Sequence, residues 1–161
     1  MYIQQAKLLR GLDRNFIRSF MDTATKESHE EGDFLFHSGE KAQYFFVLVS
    51  GHIRLSLGIF GHVVHVVHKT GEAFGWSSLV GRSLYSASAE CVTPTKVLKF
   101  ESEKVQEVSN KYPAGGLVFF RRLGKILGDR LLQSYATMPS ASETEDFISF
   151  GTGQVMETPA I

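Results

Sequence analysis

One cysteine in 161 residues, Cys91, excludes an internal disulfide framework and fits a reducing compartment. No run of about 18 apolar residues occurs, so no segment is built to cross a bilayer as a helix. The start, Met1-Tyr2-Ile3-Gln4-Gln5-Ala6-Lys7, lacks the apolar stretch of a secretory signal. These absences point to a cytoplasmic protein away from membranes. Net charge is missing too: 17 Lys and Arg balance 17 Asp and Glu, so no global field draws the chain to nucleic acid. With 4 prolines and 15 glycines, collagen-like and proline-rich classes fall away. No repeat of 20–50 residues is visible. No Gly-x-Ser-x-Gly elbow, P-loop or His-Glu-x-x-His occurs. The sequence therefore gives no support to an enzyme, assigns no catalytic residue and requires no cofactor.

What is present suffices for one core of ordinary composition, 43% hydrophobic and 21% charged. The charge is uneven. Residues 1–138 carry all 17 basic residues against 13 acidic ones, a balance of +4. Residues 139–161 hold only Glu143, Glu145, Asp146 and Glu157, a balance of −4, and open on the linker-like Pro139-Ser140-Ala141-Ser142. We expect one domain over 1–138 and an acidic, flexible tail over 139–161. Phe147, Ile148, Phe150 and Val155 are the tail's apolar exceptions.

Periodicity divides the domain. Ala6–Leu9 and Phe16–Met21 read as short helices, with Asp13 as N-cap of the second. From Thr25 the period drops to two. Phe34–Phe36, Tyr44–Val49, Ile53–Leu57, Val63–Val67, Tyr85–Val92 and Lys96–Phe100 read as strands, separated by glycine turns. Many short strands at close spacing indicate a sandwich or jelly roll. A helix over Ser102–Val108, N-capped by Ser102, follows. A longer helix runs from beyond Pro113 to about Tyr135, with Leu117, Phe120, Leu123, Leu127 and Leu131 at spacings of three and four.

The most informative segment is Gly71-Glu72-Ala73-Phe74-Gly75-Trp76-Ser77-Ser78-Leu79. Glycines before a short helical turn leave several N–H groups converging, an arrangement that binds anions. Ser77 and Ser78 add hydroxyls. In its context the segment resembles the cassette of the cyclic-nucleotide-binding domain, shared by catabolite-activator and FNR-type bacterial regulators, protein kinase A regulatory subunits and cyclic-nucleotide-gated channels. Phe74-Gly75-Trp76-Ser77-Ser78-Leu79 resembles the family's F-G-E-x-A/S-L. Tyr85-Ser86-Ala87-Ser88 resembles its R-x-A-S/T. Gly32 to Glu40 resembles its G-x-x-I-x-x-x-G-E turn, and Tyr44 to Leu55 its strand-glycine-strand. The likeness covers about residues 6–137. It implies a mainly β fold with flanking helices, a double-stranded β-helix of jelly-roll type. It also implies a small anionic ligand, a cyclic nucleotide or similar, held at Phe74 to Leu79 and Tyr85 to Ser88.

Two departures alter that implication. The family's glutamate, which accepts the ribose hydroxyl, is here Trp76. Its arginine, which pairs with the cyclic phosphate, is here Tyr85. Losing a charge-assisted bond costs about 1.5–3 kcal/mol, one to two decades of affinity. Arg82 stands three residues before Tyr85, and its plainer reading is a solvated loop residue. The helix-turn amides and the Ser88 hydroxyl remain as donors. Trp76 and Tyr85 make the site aromatic. Either it stacks a different small ligand, or Trp76 fills it and the roll is a ligand-free scaffold.

Other features read plainly. His62 and His68 share one strand face and His65 the other, so a metal site is not expected. Cys91 reads as a small buried apolar residue. Arg121, Arg122, Lys125 and Arg130 read as a solvated stripe. Gly124 and Gly128 allow close helix approach, and with Leu117, Phe120, Leu127 and Leu131 they form a candidate signalling or homodimer face, the role of this helix in the bacterial regulators the chain resembles. A DNA-binding half needs roughly 60 further residues, so direct DNA binding is not expected after Met138. The expected function is a stand-alone cyclic-nucleotide-binding-like sensor with altered ligand recognition, signalling through its last helix to a protein partner. The alternatives are a ligand-free scaffold or a fragment of a transcriptional regulator.

Overall fold

In the computed structural model, which describes residues 7–58, 61–137, 147–150 and 154–157, the first helix starts where Asp13 predicts it. The Asp13 carboxylate accepts the N–H groups of Asn15 and Phe16, at 2.8 and 3.3 Å. Helix α1, Arg14–Asp22, then buries Phe16 and Phe20. The helix expected at Ala6–Leu9 is a turn over its described residues: Leu8 and Leu9 are buried, but no α-helix forms. The Leu8 carbonyl accepts a hydrogen bond from Arg122, at 3.2 Å, so this member of the basic stripe is a structural tie.

Eight strands follow: β1 (Ala24–His29), β2 (Phe34–Phe36), β3 (Tyr44–Ser50), β4 (Ile53–Leu57), β5 (His62–Val67), β6 (Ala73–Phe74), β7 (Ser88–Cys91) and β8 (Thr95–Glu101). They form two antiparallel sheets of order β1-β8-β3-β6 and β2-β7-β4-β5. This is the mainly antiparallel, jelly-roll-like fold with flanking helices that the sequence implies. β3 is buried on both faces, which explains its unbroken apolar run. Phe46 and Leu48 belong to the roll interior with Phe36, Phe74 and Tyr85. Phe45 faces the helices, where Phe20, Phe100 and Phe119 pack at centroid distances of 4.7–6.2 Å.

The helical end is α2 (Ser102–Lys111) and α3 (Pro113–Thr137). Pro113 occupies the first helical position, where its missing N–H costs nothing. The N-cap expected at Ser102 lies one residue earlier, at Glu101. β8 runs into α2 without a loop, and the Ser102 N–H is taken by the Gln43 carbonyl at 2.9 Å. A Cβ on Gly115 would stand 2.6 Å from the Phe16 ring, so α3 passes α1 at a distance only glycine allows.

The chain divides into two compact units, Met1–Lys125 and Ile126–Ile161, the boundary falling within α3. In the second unit, β9 (Phe147–Phe150) pairs antiparallel with β10 (Gln154–Glu157), strands that the sequence reading did not mark. The linker expected at residues 139–145 lies outside the described residues. No helix among the described residues is long and apolar enough to cross a membrane.

Candidate functional site

The cassette begins as a short strand and ends as a helical turn. β6 pairs with β3, Phe74 opposite Phe46 and Ala73 opposite Val47. Gly75 then adopts φ 72° and ψ 22°, a left-handed conformation that reverses the chain into a 3-10 turn over Trp76–Leu79. A Cβ there would meet the Phe46 ring at 2.9 Å and the Tyr44 carbonyl oxygen at 3.2 Å. Space and dihedral angle both demand glycine. Within the turn, Ser77 and Leu79 are buried, and Trp76 and Ser78 are half-buried. The Ser78 hydroxyl donates to the Gly75 carbonyl at 3.2 Å. The Arg82 N–H closes the following loop onto the Ser77 carbonyl at 3.2 Å, while the Arg82 side chain is exposed.

The second half of the cassette is not a strand from Tyr85, as its pattern suggests. β7 starts only at Ser88. Residues 83–85 are tied instead to the turn over 39–42: Ala42 N–H donates to the Ser83 carbonyl, Tyr85 N–H to the Glu40 carbonyl, and Gly39 N–H to the Tyr85 carbonyl, each at 2.9 Å. The Ser88 hydroxyl oxygen accepts the Ser38 N–H at 2.9 Å, and the Ser38 hydroxyl donates to the Ser86 carbonyl at 3.4 Å. Ser86, Ala87 and Ser88 are half-buried.

Tyr85 decides what this arrangement can do. It is 4% exposed and belongs to the roll interior. Its ring stacks on Phe36 at 3.9 Å and 16°. Its hydroxyl donates to the Tyr44 carbonyl at 2.7 Å and accepts the Tyr44 N–H at 3.0 Å. Burial pushes the phenol above its ordinary range, against the pull of the Tyr44 and Gln43 backbone, so the group stays neutral. The residue expected to line an aromatic site, or to leave its filling to Trp76, is therefore core. Tyr85 rather than Trp76 occupies the roll, with Phe36, Phe46 and Phe74 around it.

Two charged groups of the roll, Arg54 and Glu72, have partners. Arg54 on β4 faces Glu90 on β7, donating through Nη2 at 2.6 Å and Nε at 3.2 Å. Glu72, which the sequence reading passed over, is a hub. One carboxylate oxygen lies 2.7 Å from His65 Nε2, and the other accepts the N–H groups of His68 and Lys69 at 3.2 Å each. Burial alone would raise its pKa. The His65 hydrogen bond and the two backbone donors outweigh burial and hold the group at about 2. Its signal was a glutamate on the glycine turn beside a strand histidine. His65 is thus taken by a carboxylate, and among the described residues no group of three potential ligands is arranged to hold a metal. Cys91 is fully buried, and burial pushes its thiol up.

On α3, Leu117 and Leu131 are 63% and 49% exposed. Space lies open around Gly124 and Gly128. Phe120 and Leu127 are half-buried. Spacings of three, four, three and four put Leu117, Phe120, Gly124, Leu127 and Leu131 on one face. The core side of the same helix is Phe119 and Leu123 instead.

Comparison with known proteins agrees with this fold. The cyclic nucleotide-binding domain model matches residues 26–112. Human cGMP-dependent protein kinase 2 is 27% identical over 90 residues, which cover 54% of this chain and 12% of the kinase. Two solved structures share the fold at 22% identity. A cyclic nucleotide-binding protein of Geobacter metallireducens aligns with TM-score 0.70 over 81% of this chain and 98% of its own. The catabolite activator protein of Thermus thermophilus aligns with TM-score 0.67 over 81% of this chain and 60% of its own.

Proposed function

Because the chain belongs to the cyclic nucleotide-binding domain family, we propose that it is a regulatory module whose recognition of ordinary cyclic nucleotides is weakened or altered, and that it acts through α3 on a protein partner. The observation that carries this reading is Tyr85. The cassette position at which relatives of this fold would keep a cation holds a neutral phenol, buried and satisfied by backbone. A phosphate entering here meets no countercharge from that position, a loss of about 1.5–3 kcal/mol. Trp76 takes a second polar partner away. What remains are the amides of the helical turn and the Ser88 hydroxyl proton, donors suited to a small anion held without a cation.

The output surface in this reading is the exposed stripe of α3 around Leu117 and Leu131. It suits a protein partner or a second copy of the chain, and sedimentation at micromolar concentration separates the two. The filling of the roll by Phe36, Phe46, Phe74 and Tyr85 favours a second reading, a scaffold that takes no ligand.

Calorimetry with cyclic AMP, cyclic GMP and cyclic dinucleotides tests the reading. The expected result is no binding of cyclic AMP or cyclic GMP at micromolar affinity. Micromolar or tighter binding of either would overturn it. Heat from a cyclic dinucleotide alone would support the altered site over the empty scaffold.

A further inference from the structure

Glu72 sits where three separate pieces of the roll meet. Its side chain reaches His65 on β5 and the amides of His68 and Lys69 in the turn that follows. Its own backbone is fixed to β3: the Glu72 carbonyl accepts the Leu48 N–H at 2.9 Å, and the Gly71 N–H donates to the Leu48 carbonyl at 2.8 Å. The Glu72 N–H donates to the Lys69 carbonyl at 2.9 Å. The next residue begins β6, and Gly75 and Trp76 lie three and four positions on. A two-residue strand is all that separates this turn from the cassette.

The other end of the link lies at a sheet edge. β5 is the edge strand of its sheet, hydrogen-bonded along one side to β4, and its register with β4 shifts between Leu55 and Ser56. His62, Val63, Val64 and Val66 are exposed. His65 shares a strand face with Val67, which is fully buried, so its ring is turned in toward the roll. The pair is half-hidden, with side-chain exposures of 28% for His65 and 18% for Glu72.

We propose that the His65–Glu72 contact is a latch that couples the β4–β5 hairpin to the cassette turn, so that displacing the hairpin repositions Trp76. Glu72 is a positioning residue in this device. The latch needs no ligand in the roll, and it stands or falls separately from the function proposed above. Its physical basis is local. One carboxylate holds the 68–72 turn in shape through two amides and holds that turn to β5 through one imidazole. Removing His65 cuts the second link and leaves the first intact.

Two measurements on the full chain test it: amide hydrogen exchange and the emission of Trp76, the sole tryptophan. Substitution H65A is expected to speed exchange of amides in residues 71–79 by roughly tenfold, the size of one lost hydrogen bond of about 1.4 kcal/mol, and to shift Trp76 emission. Amides of β8 are expected to keep their protection. V66A, on the same strand but off the latch, is expected to change neither reading. E72A is expected to exceed H65A in both, and E72Q, which keeps an acceptor for the amides and a partner for His65 but loses the charge, to fall between E72A and the wild-type chain. An unchanged cassette in H65A would overturn the latch. So would an equal loss of protection in β8, which would mean a general loss of stability, and so would a matching response in V66A.

Discussion

Removing one oxygen from Tyr85 isolates the hydrogen bonds that fix it in the roll. In Y85F the ring keeps its volume and its stack on Phe36 at 3.9 Å, and the two contacts with the Tyr44 backbone, at 2.7 and 3.0 Å, disappear. Each such bond contributes about 0.5–1.5 kcal/mol, and a backbone group left without a partner costs more than the bond was worth. The expected loss is about 2 kcal/mol. For a domain of about 150 residues that lowers Tm by about 4–8 °C. Thermal unfolding followed by far-ultraviolet circular dichroism, with a urea titration for the free energy, reads it directly. A fall of less than about 1 °C would refute the reasoning, because a phenol that mattered so little could not be the group holding Tyr44. A companion variant, Y85R, separates two causes of the weak nucleotide recognition proposed above. If a missing cation were the whole cause, Y85R would gain affinity for cyclic AMP. If the position is core, Y85R buries an unpaired charge, loses about 3–5 kcal/mol of stability and gains no affinity. The second outcome is the one expected.

Two further outcomes follow from the cassette. G75A forces a side chain into φ 72° and against the Phe46 ring at 2.9 Å, and the sum of left-handed strain and overpacking is about 2–5 kcal/mol, measurable by urea unfolding. Glu72, held at about 2 against an ordinary 4.5, stabilises the fold in its charged form. That contribution is complete above about pH 4.5 and fades as pH falls toward 2, because the unfolded chain then binds the proton first. Allowing for solvent screening of a part-exposed carboxylate, it amounts to about 1–2 kcal/mol. The stability difference between the wild-type chain and E72Q should therefore shrink as pH falls from about 4.5 toward 2; a difference that does not change between pH 4.5 and 2 would disprove the assignment.

Much of the fold was legible because its signals are periodic and local. β3 and β4 reveal themselves by an apolar run and an alternation broken at Gly51, and Asp13 marks α1 by its side-chain chemistry. What failed were features set by long-range pairing. Ser102 has the composition of a cap, yet its N–H is claimed by Gln43, far away in sequence, and the boundary moves to Glu101. Tyr85 to Ala87 carry a strand pattern, yet the turn over 39–42 captures Tyr85 and β7 begins at Ser88. β6 is too short, at two residues, to leave a period. The site was half legible. The identities of Trp76 and Tyr85 marked where the sequence departs from the cassette it resembles. Which of them would enter the core depended on rotation about Gly75 and on the distance to Tyr44, and neither is written in a pattern of polarity.

In the proposed reading, a phenol in place of a guanidinium would change how the roll is stabilised as well as what it binds. A buried arginine is costly until an anion neutralises it, so a roll built around one is most stable with its ligand in place. Tyr85 needs no such partner. Its donor and its acceptor are both met by one residue of β3, and its ring completes an aromatic stack with Phe36, Phe46 and Phe74. The Tyr85 hydroxyl is satisfied without any bound group. A sensor of this design would have to draw its conformational signal from elsewhere in the cassette. The Glu72 turn is the element best connected for that purpose, since it joins β3, β5 and β6 within a few residues of Trp76.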